Sequence, residues 1–359
     1  MKWEIAKLGK IAIIRTGKLD SNAAVIGGRY PFFTCDPNTL SIDVWAYDTE
    51  AVLLAGNNAS GNYTAKYYKG KFNAYQRTYI IESANEEELN IRYLCYALNQ
   101  QLRLLKMMSS GSTTKFLTVR MLDNLDIPLF GINIQTQIVN ILSAYDDLIE
   151  NNQKQIKLLE EAAQRIYKEW FVDLRFPGHE NTKIVDGVPE GWSRGLLKEL
   201  ISVNYGKDHK KAPDDGNIPV YGSGGLMRKC NKSLFSGEAV LIPRKGSLNN
   251  IMYVDETFWT VDTMFYATMK QPHTAVFVYF FVKAFDMYSM NIGAAVPSMT
   301  TKILDAMDVV IPDKETLEKF DKCAKTYFNK IKTLQGQNER LKTARNLLLP
   351  KLMSGEVEV

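Results

Sequence analysis

Tyr145–Ala162 reads YDDLIENNQKQIKLLEEA, and 182 positions later Tyr327–Ala344 reads YFNKIKTLQGQNERLKTA. Tyr145, Ile149, Gln153, Gln155, Leu159 and Ala162 fall on Tyr327, Ile331, Gln335, Gln337, Leu341 and Ala344. The same offset holds upstream without a gap, laying Gly111, Thr118, Leu122, Asp123 and Asp126 on Gly293, Thr300, Leu304, Asp305 and Asp308. Matches that run through loops as well as helical stretches mark a tandem repeat. Nearer each start the offset grows. Tyr30-Pro31-Phe32-Phe33 aligns with Ile218-Pro219-Val220-Tyr221, Ala51-Val52-Leu53-Leu54 with Ala239-Val240-Leu241-Ile242, and Trp3 with Trp192. The repeating unit is a variable globular part of about 130 residues followed by a more closely matched tail.

Each tail has the spacing of a heptad helix. From Gln135 to Phe171 there is no Pro or Gly, and Ile138, Leu142, Tyr145, Ile149, Asn152, Ile156, Leu159, Ala163, Ile166 and Trp170 alternate by three and four. After Pro312 the second series is Phe320, Ala324, Tyr327, Ile331, Leu334, Asn338, Leu341, Arg345, Leu348 and Leu352. Gly336 lies off this seam and weakens the second helix by up to about 1 kcal/mol relative to Ala. Each seam carries one Asn, which is costly among apolar neighbours unless the two amides meet. Parallel pairing sets Asn152 against Leu334. Antiparallel pairing, with partners whose numbers sum to 490, sets Asn152 against Asn338, Ala163 against Tyr327 and Trp170 against Phe320. The sequence therefore predicts an antiparallel coiled coil. At about 1.5 Å per residue its seam is about 48 Å long, a rod with a globular head expected at each end.

The expected fold class is α/β (α+β): two tandem pseudo-repeated globular domains joined by two long helices. Residues 1–133 and 191–314 form the heads, 134–172 and 315–353 the central and C-terminal helical spacers, 173–190 a linker and 354–359 a tail. The 359 residues contain 45% hydrophobic and 23% charged side chains, enough apolar material for two cores. Cys35, Cys95, Cys230 and Cys323 lack CxxC spacing, which argues against a zinc ribbon or disulfide framework and for a cytoplasmic location. No stretch is apolar for long enough to span a membrane; the run Ala275–Val282 ends at Lys283. With only His179, His209 and His273, metal clusters and histidine triads have little raw material, and no metal site is expected. Asp36-Pro37-Asn38 lacks the form of a methyltransferase motif, and Pro213-Asp214-Asp215 lacks the continuation of a nuclease motif. The net charge of +4 leaves nucleic-acid binding to local patches.

Two heads on a rigid spacer match duplex DNA, where half-sites recur on one face about every 34 Å. The loops carry suitable donors. In the first head the candidates are Lys18, Asn57, Asn58, Tyr75, Gln76, Arg77, Ser112, Thr113, Thr114 and Lys115; in the second, Lys207, Lys210, Tyr221, Ser223, Arg228, Lys229, Arg244, Lys245 and Asn249. Amides pair with adenine and Arg with guanine, whereas Ser, Thr and Lys hold phosphates. Gly222-Ser223-Gly224-Gly225 is neither GxGxxG nor followed by GK[ST], and is expected to be a tight turn that lets backbone approach a groove.

These strings resemble the specificity subunits of type I restriction-modification systems over nearly the whole chain. The resemblance is carried by Arg29-Tyr30-Pro31-Phe32-Phe33-Thr34, Gly70-Lys71-Phe72, Gln76-Arg77-Thr78 and Lys168-Glu169-Trp170-Phe171 in the first copy. In the second it is carried by Ile218 to Gly225, Pro243-Arg244-Lys245-Gly246, Asp262-Thr263-Met264-Phe265 and the tail from Leu347 to Gly355. It implies two target-recognition domains reading an asymmetric bipartite site in double-stranded DNA, without catalysis of their own. It also implies two DNA-methyltransferase subunits and restriction/translocase subunits as partners, and places S-adenosylmethionine, ATP and magnesium on them, with no cofactor in this chain. Lys157, Glu160, Glu161 and Arg165 on the coil flank are candidate rim contacts for those partners. The competing expectation is an adaptor of the same shape whose polar loops bind protein.

Overall fold

The computed structural model describes residues 3–58, 61–109, 115–290 and 298–359. The chain divides into two compact units: unit 1 comprises residues 1–152 and 336–359, and unit 2 residues 153–335.

Unit 1 is built on a six-stranded sheet. Its strands in chain order are β1 (Ala12–Thr16), β2 (Tyr30–Phe33), β3 (Leu40–Ile42), β4 (Tyr47–Ala55), β5 (Ala65–Ala74) and β6 (Thr78–Ser83), arranged β1-β6-β4-β5-β2-β3. Pairing is antiparallel except between β2 and β5, where Phe32 and Phe33 lie beside Asn73 and Ala74. The run Ala51–Ala55 is buried throughout, as the central position of β4 requires. Helix α1 (Ile91–Met108) covers the sheet, capped by Asn90, whose side chain accepts from the Tyr93 N–H at 3.1 Å. Its buried face, including Tyr93, Leu94 and Leu98, belongs to one core with Val52, Leu54 and Ile81.

Unit 2 repeats the plan. Its strands are β7 (Ile201–Tyr205), β8 (Ile218–Gly222), β9 (Gly225–Cys230), β10 (Phe235–Pro243), β11 (Met252–Thr260) and β12 (Met264–Met269), in the order β7-β12-β10-β11-β8-β9. Adding six to each strand label of unit 1 reproduces this order, and β8 and β11 form the matching parallel pair. Helix α4 (Ala275–Lys283) is apolar almost all round and buried accordingly.

Between the labelled helices the repeat continues: α2 (Val119–Asp123) and α5 (Thr301–Asp305) are single-turn pieces capped by Thr118 and Thr300. The long helices are α3 (Ile132–Tyr167), extended by a π turn over Lys168–Val172, and α6 (Lys314–Ser354). In unit 1 the first part of α3 and the last part of α6 pack together. Asn152 Nδ2 donates to Asn338 Oδ1 at 2.9 Å, both residues being buried. Arg345 forms an ion pair with Asp146. Moving back along α3 from 152 to 146 means moving forward along α6 from 338 to 345, so this pair is antiparallel. Gln135 is wholly buried where α3 begins; its amide donates at 2.7 Å to the carbonyls of Glu88 and Phe130 and accepts from Asn90 N–H at 2.9 Å, which fixes the helix to the head.

In unit 2, Phe320 of α6 meets Tyr167, Trp170 and Phe171 at ring separations of 6.2, 5.8 and 4.8 Å. Phe171 and Phe176 in turn cover Trp192, whose indole N–H donates to Asp313 Oδ2 at 2.9 Å. One strand-to-strand bond occurs in both sheets: the Tyr67 hydroxyl donates to Glu50 at 2.9 Å in unit 1 and Tyr253 to Glu238 at 2.6 Å in unit 2, where Lys325 of α6 also pairs with that carboxylate and so ties sheet to helix.

Candidate nucleic-acid interface

In unit 1 four stretches meet through backbone hydrogen bonds at one end of the sheet. Gly17 N–H donates to Thr78 O at 3.1 Å, Tyr75 N–H to Phe33 O at 2.9 Å, and Gly56 N–H to Arg77 O at 2.8 Å. Leu117 N–H then donates to Gly56 O at 2.8 Å, and Asn57 and Asn58 pair with Phe116 and Lys115. Gly17 has to be glycine: a Cβ there would stand 2.2 Å from Ala74 O. This framework collects Lys18, Asn57, Tyr75, Gln76, Arg77 and Lys115, of which Lys18, Gln76 and Arg77 are exposed. Gln76 and Arg77 stand at the tip of the turn from β5 to β6, free of ladder duties for their side chains. Asn57 Oδ1 accepts from the Cys35 thiol at 2.7 Å, and burial pushes that thiol's pKa up. Ser112, Thr113 and Thr114, and the side chain of Asn58, lie outside the described residues, as does the counterpart segment 291–297.

Unit 2 holds the same framework bond for bond. Gly206 N–H donates to Met264 O at 3.0 Å, Val261 N–H to Tyr221 O at 3.0 Å, Arg244 N–H to Thr263 O at 2.8 Å and Met299 N–H to Arg244 O at 2.9 Å. Lys245 bridges to Ser298 where Asn57 pairs with Phe116 in unit 1. A Cβ on Gly206 would stand 2.0 Å from Val261 O, the same prohibition as at Gly17. Lys207, Tyr221, Ser223, Arg244 and Lys245 are thereby brought together. Arg244 is half-buried; its guanidinium lies 5.5 Å over the Tyr205 ring and donates to Asp262 O at 3.1 Å. That contact holds the fork in place before any partner arrives.

Three of the sequence candidates are engaged inside the unit. Arg228 forms an ion pair with Asp214 and donates to the carbonyls of His209 and Ala212, so it fastens the short 209–211 turn, with Lys210 upon it, to β9. Asn249 Nδ2 donates to Asp286 at 2.9 Å, and its carbonyl accepts from Met287 N–H at 2.8 Å. The Tyr221 hydroxyl donates to Glu256 at 2.5 Å; burial first and this bond second raise its pKa and keep it protonated. Lys229 and Lys245 are exposed. Sequence reasoning passed over Tyr205, 54% exposed, whose only signal is an aromatic immediately before Gly206.

The arrangement offers cations and amides on turns held by backbone hydrogen bonds. Among the described residues there is no group of His, Cys, Asp and Glu that could hold a metal ion, and no helix is long and apolar enough to cross a membrane. All four cysteines are free thiols.

The family model described as the type I restriction modification DNA specificity domain matches the chain twice, at residues 1–161 and 189–343. The chain belongs to the type I restriction-modification DNA specificity family. A member from Escherichia coli, the type I restriction enzyme EcoDI specificity subunit, is 31% identical over 214 residues; the match covers 53% of this chain and about half, 47%, of that relative. The MjaIX specificity subunit of Methanocaldococcus jannaschii is 25% identical over 308 residues, covering 74% and 68% of the two chains. Among solved structures the S subunit from M. genitalium shares the fold, with a TM-score of 0.64 at 18% identity, over 98% of this chain and 96% of that one. The two matched segments are the two sheet-bearing halves of the repeat, so within this specificity family each half is one copy of the domain.

Proposed function

We propose that the chain is the DNA-sequence-reading subunit of a type I restriction-modification complex. Each head, residues 1–133 and 191–314, reads one half of an asymmetric bipartite site in double-stranded DNA; residues 134–172 and 315–353 are the spacers. One observation carries the reading. Two units with the same backbone framework present different side chains on it, which is what one reader needs to recognise two different half-sites. Arg77 with Gln76, and Arg244 with Lys245, are the base-reading candidates; Lys18, Lys115, Lys207, Lys210 and Lys229 serve the phosphates.

The chain contributes recognition and leaves chemistry to others. Two methyltransferase subunits using S-adenosylmethionine and restriction subunits using ATP and magnesium dock on it in the cytoplasm. Glu161 and Arg165, which line a groove with Val172 and Phe280 in unit 2, support a docking role for the helix flank.

The test is a mobility-shift titration of the chain with its methyltransferase partner on target and scrambled duplexes, the target being taken from methylated adenines mapped in the host genome. Sequence-dependent binding is expected. Equal affinity for every duplex overturns the reading in favour of an adaptor, and turnover by the purified chain alone overturns the assignment of chemistry to partners.

A further inference from the structure

Strand β9 is an edge strand, joined to β8 by the tight turn at Gly222–Gly225. Tyr221 pairs with Leu226, and Val220 then pairs with Arg228, so Met227 is an extra, bulged residue. In a regular strand neighbouring side chains point to opposite faces, and a bulge re-aims them. Here two consecutive apolar side chains are left in solvent, Leu226 at 60% and Met227 at 54% exposure.

Their place is the reading end. A Cβ on Gly222 would lie 2.5 Å from Met227 Sδ and 3.6 Å from Val261 Cγ2, so Met227 lies across the backbone beside the 260–264 turn. Asn250 Nδ2 donates to Ser223 O at 2.8 Å, tying the hairpin to the loop that follows Lys245. Lysines lie on the adjoining segments: Lys229 on the same strand, Lys245 next to the tied loop, and Lys210 and Lys211 on the turn that Arg228, itself paired with Asp214, fastens to the strand. An apolar tip flanked by lysine-bearing segments suits a polyanion that also offers apolar groups. A two-stranded ribbon fits the major groove of B-DNA, and the one apolar group on base edges there is the thymine methyl.

We propose that Leu226 and Met227 form an apolar tip by which unit 2 takes the 5-methyl groups of thymine in its half-site. The inference rests on the DNA-reading assignment above and names a contact that assignment does not. It belongs to one head only. Unit 1 carries Asn38 and Thr39 at the corresponding positions, where Phe32 pairs with Leu40 as Val220 does with Arg228, and Lys66 there donates to Asp36 O and Thr39 Oγ1 at 3.2 and 3.3 Å.

The experiment uses the chain with its methyltransferase partner on the mapped target, with the thymines of each half-site replaced in turn by deoxyuridine, which removes the methyl alone. Wild type should bind one substituted half-site about three- to fivefold more weakly per contacted methyl. The double variant Leu226→Asn, Met227→Gln should lose that discrimination in the same half-site and keep every response in the other. Both residues are exposed, and an unchanged thermal midpoint shows that the variant folds. Wild type indifferent to uracil, or a variant that still tells thymine from uracil, overturns the tip. A variant weakened equally on all duplexes overturns it in favour of a wedge or general contact. A wild-type dimer that the variant dissociates overturns it in favour of self-pairing along the edge of β9. Sequence-specific binding without a uracil effect sinks this inference alone; no sequence-specific binding at all sinks the DNA-reading assignment with it.

Discussion

Gly56 in unit 1 and Arg244 in unit 2 occupy the same node of the same backbone framework, each donating its N–H to the turn and accepting from the residue just before the capped single-turn helix, Leu117 or Met299. One is glycine and the other carries a guanidinium. At the next node the assignment reverses, since Arg77 of unit 1 stands where unit 2 has Thr263. The heads thus place an arginine on opposite sides of a single hydrogen bond. Arg77 is exposed on its turn, whereas Arg244 is held over Tyr205. Bonds between main-chain groups leave the side chains at these two nodes out of the frame, so they can differ there, whereas Gly17 and Gly206 cannot. In the proposed reading, specificity lives in the substituents and foldability in the backbone.

The sharpest way to break the comparison is to attack the shared frame. Gly17→Ala and Gly206→Ala each force a Cβ into a carbonyl oxygen, and each should cost about 3 kcal/mol or more by denaturant unfolding. If one is tolerated while the other is not, the frames are alike only in outline. Next come the substituents. Arg77→Ala and Arg244→Ala should each weaken target binding by about 1 to 3 kcal/mol and relax one half-site apiece, measured against a panel of single-base variants. Uniform weakening across the panel would make the residue a phosphate contact. Arg244→Lys should resemble Arg244→Ala, because a Lys cannot keep the planar fork stacked on Tyr205.

A smaller effect is expected in the helix pair of unit 1. Asn152→Ala leaves the Asn338 amide buried without its partner and should cost about 1 to 2 kcal/mol, while replacing both by Leu should recover that loss in thermal melts. The smallest effect distinguishes the caps of the long helices. Gly131 precedes α3 in unit 1; Asp313 precedes α6 in unit 2. Burial disfavours the Asp313 carboxylate, but bonds from Thr316 and from the Trp192 indole prevail and hold its pKa below the ordinary carboxylate value. A pKa lowered by folding adds stability that is complete above the unfolded value and is lost as pH falls through the folded one, here below about pH 4. Melts followed through Trp192 should show this loss in wild type and a flatter profile in Asp313→Asn. An identical profile would remove the cap from the account.

Much of this was legible in the chain because period and repetition are local signals. The heptad spacing predicts helix over 135–171, and the structure runs helix from 132 to 172 with a π turn at its end. The order of strands was not legible. Which strand neighbours which is decided by contacts far apart in sequence, and the single parallel pair in each sheet leaves no mark on residue alternation. The candidate interfaces were half legible. Gln76 and Arg77 announce themselves as polar residues after an aromatic at a turn. Arg228 and Asn249 look equally available in sequence, yet their acceptors, Asp214 and Asp286, come from segments 14 and 37 residues away. Leu226 and Met227 were invisible for the opposite reason: an apolar pair in a strand resembles core until an edge position and a bulge turn it outward.

The buried amide pair of Asn152 and Asn338 also governs how the two helices of unit 1 can shift against each other. A slip of one helix along the other by a turn would set each amide among aliphatic neighbours, stranding two polar groups at once. The pair can therefore not creep by small amounts under load or by gradual mutation. It holds one setting or jumps to another in which the amides meet again, so register along it is digital.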